Sequence, residues 1–170
     1  MGATRLFEIR RASPGDVDAI AAAHLDSIES IGPRYYAPEI VREWGARLTG
    51  ELYAAAMARG EVFFIAVGDL DGQPAVLGFS SHRIDPDGHG TAVYVRGRAA
   101  RQGIGAALFA HAEASAIAAG APAIDIEASL AAVEFYQAQG FEETGRGAHR
   151  LRSGGSMPCV FMRKALRGVT

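Results

Sequence analysis

The sequence predicts a mixed α/β fold in which helices flank a mostly antiparallel sheet of about six or seven strands. Strand-like and helix-like patterns follow one another as strand, helices, three strands, helix, strand, helix and two strands. Only short turns separate the three central strands, as in hairpins, whereas a doubly wound sheet would need helices between them. No linker-like stretch interrupts the chain, so we expect residues 1–170 to form one domain.

The first half of the chain has clear helix boundaries. Ser13 is suited to cap a helix, Pro14 fits its first position, and Asp16 lies near the positive end of the helix dipole. Apolar residues at helical spacing continue to Ile28, and Gly32 with the proline after it interrupts the pattern. The predicted elements of this half are a strand at 6–10, helices at 13–28 and 38–47, and a helical segment at 49–59 that is either a third helix or a continuation of the second.

The second half combines hairpin strands with two helices that glycines terminate. Gly120, closely followed by Pro122, ends the first of these helices, and Gly140 ends the second. The predicted helices lie at 106–119 and 131–139, and the strands at 62–67, 76–83, 91–95, 123–128, 141–145 and 159–164. The segment 147–158 carries glycine and arginine, and we expect it to be a loop.

Composition excludes several classes of function. A net charge of −2 without a basic block gives no footprint for nucleic acid or for an anionic membrane. Cys159 is the single cysteine, so an intramolecular disulfide and a four-cysteine zinc site are excluded, and we expect no metal. The N-terminus lacks a signal-like apolar region and no uncharged apolar run approaches about 18 residues, so we expect a cytoplasmic protein.

A glycine-containing turn joins the strand at 91–95 to the helix that follows it. A helix N-terminus binds phosphate through its free N–H groups and positive dipole, and Gly103 and Gly105 let the backbone approach a ligand closely. The same turn could serve only as a turn, so the residues alone leave both interpretations open. A P-loop is excluded because no Lys-Ser or Lys-Thr pair follows, and Leu108 replaces the third glycine of a dinucleotide fingerprint.

Two segments resemble the GNAT (Gcn5-related N-acetyltransferase) superfamily. Residues 93–95 with 103–108 resemble its pyrophosphate loop, and residues 126–141 resemble the strand-to-helix segment with a Phe-Tyr pair and a terminal Gly-Phe. The order of strands and helices extends the resemblance over residues 6–164. It implies the GNAT fold, acetyl-CoA as co-substrate, and transfer to a primary amine of a small molecule or peptide; a homodimer is a state that it allows.

The resemblance also implies roles for individual residues. Tyr136 occupies the position of the usual general acid, and Ser129 that of an asparagine that contacts the pantetheine arm. The first position of the loop motif is Ala100 instead of glutamine or arginine, and Arg101 replaces a common glycine. The expected cofactor-binding residues are Val93, Tyr94, Val95, Arg98, Arg101, Gln102, Gly103, Ile104, Gly105, Ala106, Ser129, Ala132 and Phe135.

The base and the acceptor site have weaker signals. Asp125 and Glu127 point to one face of a strand, and Glu127, nearer the catalytic end, is the expected base unless these carboxylates only pair with arginines. His24 falls in an apolar helix stripe and is expected in the core. Aromatic and acidic side chains suit a cationic amine, although such aromatics also anchor helices to a core. The expected substrate residues are Glu29, Tyr35, Tyr36 and Trp44.

Three functions therefore remain open. The first is an N-acetyltransferase with Tyr136 as general acid, and the second is a GNAT-like module that binds acyl-CoA without turnover. The third is a nucleotide-binding protein unrelated to coenzyme A, which would prefer ATP or NAD. A core tyrosine with its hydroxyl at the rim of a cleft is the alternative interpretation of Tyr136.

Overall fold

The computed structural model of the chain describes residues 6–166. Its strands and helices confirm the predicted order, although several boundaries move. The elements are β1 (Phe7–Arg11), α1 (Val17–Ile31), α2 (Pro38–Trp44), α3 (Gly50–Ala58), β2 (Val62–Leu70), β3 (Gln73–Asp85), β4 (Gly88–Val95), α4 (Ile104–Ala118), β5 (Ala123–Ser129), α5 (Val133–Ala138), β6 (Glu142–Arg150) and β7 (Ser156–Ala165).

Within residues 6–166, the strands form two antiparallel sheets. One has the order β1-β2-β3-β4 and the other β5-β7-β6. β4 is an edge strand of the first sheet and β5 is an edge strand of the second. The two strands lie beside each other, but no backbone ladder joins them within residues 6–166. The predicted mixed α/β architecture is confirmed, and the split between β4 and β5 leaves two strand edges facing a gap.

The helices cover both faces of the strands. On one face, α4 and α5 bury Phe109 and Tyr136 against Ile124 of β5. On the other, α1 and α3 bury Ile20 and Tyr53 against strands of the larger sheet. Burial of each large apolar side chain contributes about 1.5–3 kcal/mol, so these two cores hold the sheets in place. Within residues 6–166, no helix combines the length and the apolarity needed to cross a bilayer.

The expectation of a loop at 147–158 is wrong, because most of this segment forms the β6–β7 hairpin. Gly147 pairs with Cys159, and the ladder continues to Arg150 opposite Ser156. The ring of Phe161 lies where a side chain at Gly147 would otherwise project, because a Cβ there would be 2.6 Å from the ring. Gly147, which suggests a loop in the sequence, is therefore a requirement for packing an aromatic ring across the strand.

Candidate active site between two strand edges

The free edge of β4 presents two backbone N–H groups to the gap. The N–H of Arg96 donates to the carbonyl of Leu77 at 2.8 Å, so Arg96 points its backbone groups towards β3. Along an antiparallel strand this direction alternates, so the N–H groups of Val93 and Val95 point away from β3 and towards β5. Within residues 6–166 no ladder uses these donors; that of Val93 faces the Tyr136 hydroxyl, and that of Val95 is open to an extended ligand lying between the sheets.

A cavity of about 370 Å³ opens from this gap at the N-terminus of α4, and we call it the helix-end cavity. Arg101 and Gly103 take left-handed backbone conformations, with φ of 63° and 80°, in the turn that leads into the helix. The N–H groups of the first helical turn have no intrahelical partner, which makes this wall suitable for an anion. The predicted cofactor-binding residues that line it are Val93, Tyr94, Val95, Arg101, Gly103, Ile104, Gly105, Ala106, Ser129, Ala132 and Phe135.

Two residues predicted to bind the cofactor lie elsewhere. Arg98 forms a two-point ion pair with Asp71 in the β2–β3 turn, at 2.6 and 2.5 Å, and does not line the cavity. Gln102 is exposed and is not part of the cavity wall. The structure adds Ser27 and Ile31 to the wall, and their position on distant α1 gave no signal in the sequence.

Tyr136 lies just behind the wall of the helix-end cavity. Its side chain is 5% exposed and packs edge-on against Phe141 in the core below α5. Burial raises the pKa of Tyr136 above its usual value, and the Tyr94 hydroxyl adds to this shift, whereas the backbone N–H of Val93 opposes it. The phenol therefore stays protonated at neutral pH and lies beside the strand edge that faces the gap.

A second cavity, of about 450 Å³, opens on the opposite face of the gap; we call it the carboxylate cavity. Glu127 and Asp125 both line it, but they have different partners. Asp125 forms an ion pair with Arg163 at 2.9 Å, whereas Glu127 contacts Nδ1 of His149 at 2.6 Å. His149 lies on β6, in the segment expected to be a loop, so this pair could not be predicted from the sequence.

The structure separates the four expected substrate residues. Trp44 is on the walls of both cavities, together with Tyr94 and Ser129. The Tyr36 hydroxyl donates to the carbonyl of Pro158 at 2.6 Å and accepts from the N–H of Leu130 at 2.8 Å. Tyr36 therefore anchors the chain before α2 to the smaller sheet. The remaining two, Glu29 and Tyr35, are exposed and lie on neither wall.

A third cavity, of about 310 Å³, continues beneath α1 and α3; we call it the arginine cavity. Four arginines line it: Arg59, Arg83, Arg150 and Arg152. His24 lies at its floor, 7% exposed, with Nδ1 2.6 Å from the Tyr53 hydroxyl. Its burial confirms the prediction of a core histidine.

Buried His24 makes the protein sensitive to mild acid. Burial, assisted by the charge of Arg152, lowers the pKa of His24 to about 3, against about 6.5 in an unfolded chain. The folded state favours the neutral ring, so this stability is complete above pH 6.5 and is lost as pH falls towards 3. We expect the free energy of unfolding to drop by about 2 kcal/mol more between pH 7 and 4.5 in the wild type than in His24→Phe.

Urea unfolding at both pH values measures this difference. The matched control is Tyr53→Phe, which removes the hydrogen bond but leaves the histidine buried, so its dependence on pH should follow the wild type. Arg10 is the main cause that lowers the pKa of Asp16 to about 2. Asp16 therefore changes the free energy of unfolding mainly below pH 4, outside the range that this comparison covers. Parallel curves for the wild type and His24→Phe would show that the ring is not buried in its neutral form.

Comparison with known proteins places this geometry in a family. Residues 34–165 match a family model described as an acetyltransferase (GNAT) domain. A GCN5-related N-acetyltransferase from Rhodopseudomonas palustris is 27% identical with a TM-score of 0.80, over 98% of this chain and 99% of that one. No curated protein sequence matches this chain.

Two further solved structures share the fold. A ribosomal-protein-alanine N-acetyltransferase from Brucella melitensis is 25% identical with a TM-score of 0.64, over 94% of this chain and 99% of that one. The PaiA N-acetyltransferase from Thermoplasma acidophilum, in complex with coenzyme A, is 18% identical with a TM-score of 0.72, over 94% of this chain and 99% of that one. Within residues 6–166, no cluster of three or more histidine, cysteine or acidic side chains is arranged to hold a metal. The chain belongs to the GNAT acetyltransferase domain family.

Proposed function

We propose that this protein transfers the acetyl group of acetyl-CoA directly to a primary amine of a small molecule or peptide. The observation that carries the proposal is the gap between β4 and β5, which has a phosphate-compatible helix end on one face and a carboxylate on the other. Membership of the GNAT family supports it, as does the coenzyme A in the PaiA relative.

Acetyl-CoA would approach from the helix-end cavity. Its pyrophosphate would accept hydrogen bonds from the first N–H groups of α4, and Arg101 would add charge. The pantetheine arm would run through the gap along Val93 and Val95, with Ser129 of β5 opposite. The thioester would then face the carboxylate cavity, where the amine arrives.

The transfer needs three proton or charge events. An alkylammonium with a pKa near about 10.4 must lose a proton, and Glu127 would take it from the acceptor amine. The neutral nitrogen attacks the thioester carbon, and the N–H of Val95 would stabilise the oxygen that becomes negative. The carbon–sulfur bond then breaks, and the leaving thiolate takes the phenolic proton of Tyr136. The second proton that the nitrogen loses as it becomes an amide restores the phenol.

A non-catalytic module that binds acyl-CoA is the second candidate, and one observation favours it. Ala100 lies on the wall of the helix-end cavity, where the family motif has glutamine or arginine. The two candidates make the same prediction for binding and opposite predictions for turnover.

Calorimetric titration with acetyl-CoA, with ATP and NAD as controls, tests the binding shared by both candidates. We expect selective micromolar binding, which corresponds to about −8 kcal/mol. Release of free thiol in the presence of a panel of amines then tests turnover; Cys159 is 2% exposed, so it adds little background to the thiol reagent. Binding without thiol release would identify the module, and the absence of binding would refute both candidates.

Gly105→Val tests the position of the pyrophosphate. A Cβ at Gly105 would lie 3.0 Å from Cε2 of Phe135, so a branched side chain must displace this ring or project into the helix-end cavity. We expect the affinity for acetyl-CoA to fall at least about tenfold, equal to about 1.4 kcal/mol. Ala110→Val, on the exposed face of the same helix, is the control and should bind as the wild type does. Equal affinity in both variants would show that the ligand does not touch this turn.

A further inference from the structure

The carboxylate and arginine cavities are neighbours that share part of their walls, and the charged residues that line them differ. The residues common to both walls are Trp44, Arg83, Ala92, Tyr94 and His149. Among residues 6–166, four arginines and one acidic residue, Glu61, line the arginine cavity, and one of the arginines, Arg83, is paired with Asp85 at 2.9 Å. A confined space with this excess of positive charge attracts an anion.

Arg152 is the cation whose field reaches the floor of the arginine cavity. Its charge adds to the effect of burial in lowering the pKa of His24, and it opposes the effect of burial on the pKa of Tyr53. No ion pair joins Arg152 to a carboxylate in the part of the chain from 6 to 166. The guanidinium is therefore available to a ligand.

Two buried polar atoms on the same wall have no hydrogen-bond partner among the described residues. They are Nε2 of His24 and Oγ of Ser81, in side chains that are 7% and 0% exposed. A buried polar atom without a partner costs about 1–3 kcal/mol, so its presence calls for an explanation such as a bound polar group. Both atoms belong to residues that line the cavity in which the arginines lie.

The hydrogen bond of His24 determines what its free nitrogen offers. If the Tyr53 hydroxyl donates to Nδ1, the neutral ring carries its proton on Nε2 and presents a donor. The opposite arrangement would leave the buried hydroxyl proton of Tyr53 without an acceptor among the described residues. The first arrangement leaves fewer unsatisfied groups, so Nε2 carries the proton and is a donor.

We propose that the acceptor is an amine that also carries a carboxylate, as a free amino acid does, and that this carboxylate binds in the arginine cavity. Arg152 pairs with it, and the Nε2–H of His24 and the hydroxyl of Ser81 donate to it. The amine then lies in the carboxylate cavity near Glu127. The proposal rests on acetyl transfer as the function, and it replaces the purely cationic amine that the aromatic and acidic residues of the sequence suggested.

The proposal selects a small molecule over a residue within a peptide. An amino acid inside a chain has an amide in place of its free carboxylate, so it would bring an uncharged group to Arg152. The arginine cavity should therefore favour acceptors with a free carboxylate over acceptors that have an amide in its place.

Matched pairs of acceptors test this specificity. L-methionine, L-phenylalanine and L-glutamate are compared with their α-amides by release of free thiol from acetyl-CoA. We expect kcat/KM for the preferred acid to exceed that for its amide at least about tenfold. Calorimetric titration of the same pairs into protein saturated with coenzyme A provides a readout that does not require turnover, and the acid should bind more tightly there also.

Arg152→Gln identifies the residue responsible. We expect the KM for the preferred acid to rise about tenfold and that for the amide to change less than about twofold, while kcat stays similar. Arg42→Gln is the control, because it removes the same charge from an exposed position on α2 that lines none of the three cavities. An equal rise for acid and amide would indicate a general effect on the site and would overturn the assignment.

The outcomes separate this proposal from the function on which it rests. If acetyl-CoA does not bind, or if no amine releases thiol, acetyl transfer itself is wrong. If amides are acetylated as well as the acids are, acetyl transfer stands and the carboxylate subsite is refuted. If acids bind the coenzyme A-saturated protein no more tightly than amides do, the subsite is refuted whether or not turnover is seen.

Discussion

Tyr136→Phe is expected to lower kcat by about 10²–10³-fold and to change the dissociation constant for acetyl-CoA less than about twofold. The substitution removes only the hydroxyl that lies beside the backbone of Val93 at the edge of the gap. Burial holds the pKa of Tyr136 above its usual value, so the wild-type phenol carries a proton at every pH at which the enzyme is assayed. The loss of rate should therefore be similar from pH 6 to pH 9.

Two measurements distinguish loss of the acid from loss of packing. Thiol release gives kcat, and calorimetry gives the affinity for acetyl-CoA. Phe141→Leu is the control, because Phe141 packs edge-on against Tyr136 with ring centroids 5.2 Å apart but has no proton to give. We expect this control to lower the melting temperature and to keep kcat within about threefold. A Tyr136→Phe enzyme as active as the wild type would leave Tyr136 as a core residue only.

The parts of the candidate site that could be predicted from the sequence are formed by residues that are close together in the chain. The turn before α4 and the Phe-Tyr pair of α5 each lie within a few residues of a glycine that sets a helix end, so local chemistry is sufficient to locate them. The helix begins at Ile104, two residues earlier than expected, because the left-handed Gly103 directly precedes its first turn. The backbone N–H groups at such a turn can bind a phosphate whichever side chains surround them.

The acceptor side was less predictable because its residues come together from distant parts of the chain. Glu127 meets His149 across the smaller sheet, and nothing in the sequence indicates that β6 extends far enough to bring them together. The aromatic residues near α2 looked alike in the sequence, yet Trp44 lines the cavities while Tyr36 serves as an anchor. Only the three-dimensional structure distinguishes a side chain that lines a cavity from one that anchors a helix when both are large and amphipathic.

Glu127→Gln is expected to lower kcat/KM by about 100-fold without weakening the binding of acetyl-CoA. Glutamine has the same shape and can still hydrogen-bond to His149, but it cannot take a proton from the acceptor amine. Because the amine must lose that proton before it attacks, the defect should shrink as the pH rises towards the pKa of the free amine. The measurement is the pH–rate profile of both enzymes with one acceptor.

Asp125→Asn provides a closely matched control for this prediction. Asp125 lies two residues away on the same strand face and lines the same cavity, but its carboxylate is paired with Arg163. The two substitutions remove the same charge from neighbouring positions, so a general electrostatic effect on the acceptor would lower both rates equally. If Glu127 is the base, Asp125→Asn should stay within about threefold of the wild type. Equal losses in the two variants would mean that the carboxylates only attract the amine, and that the proton leaves by another route.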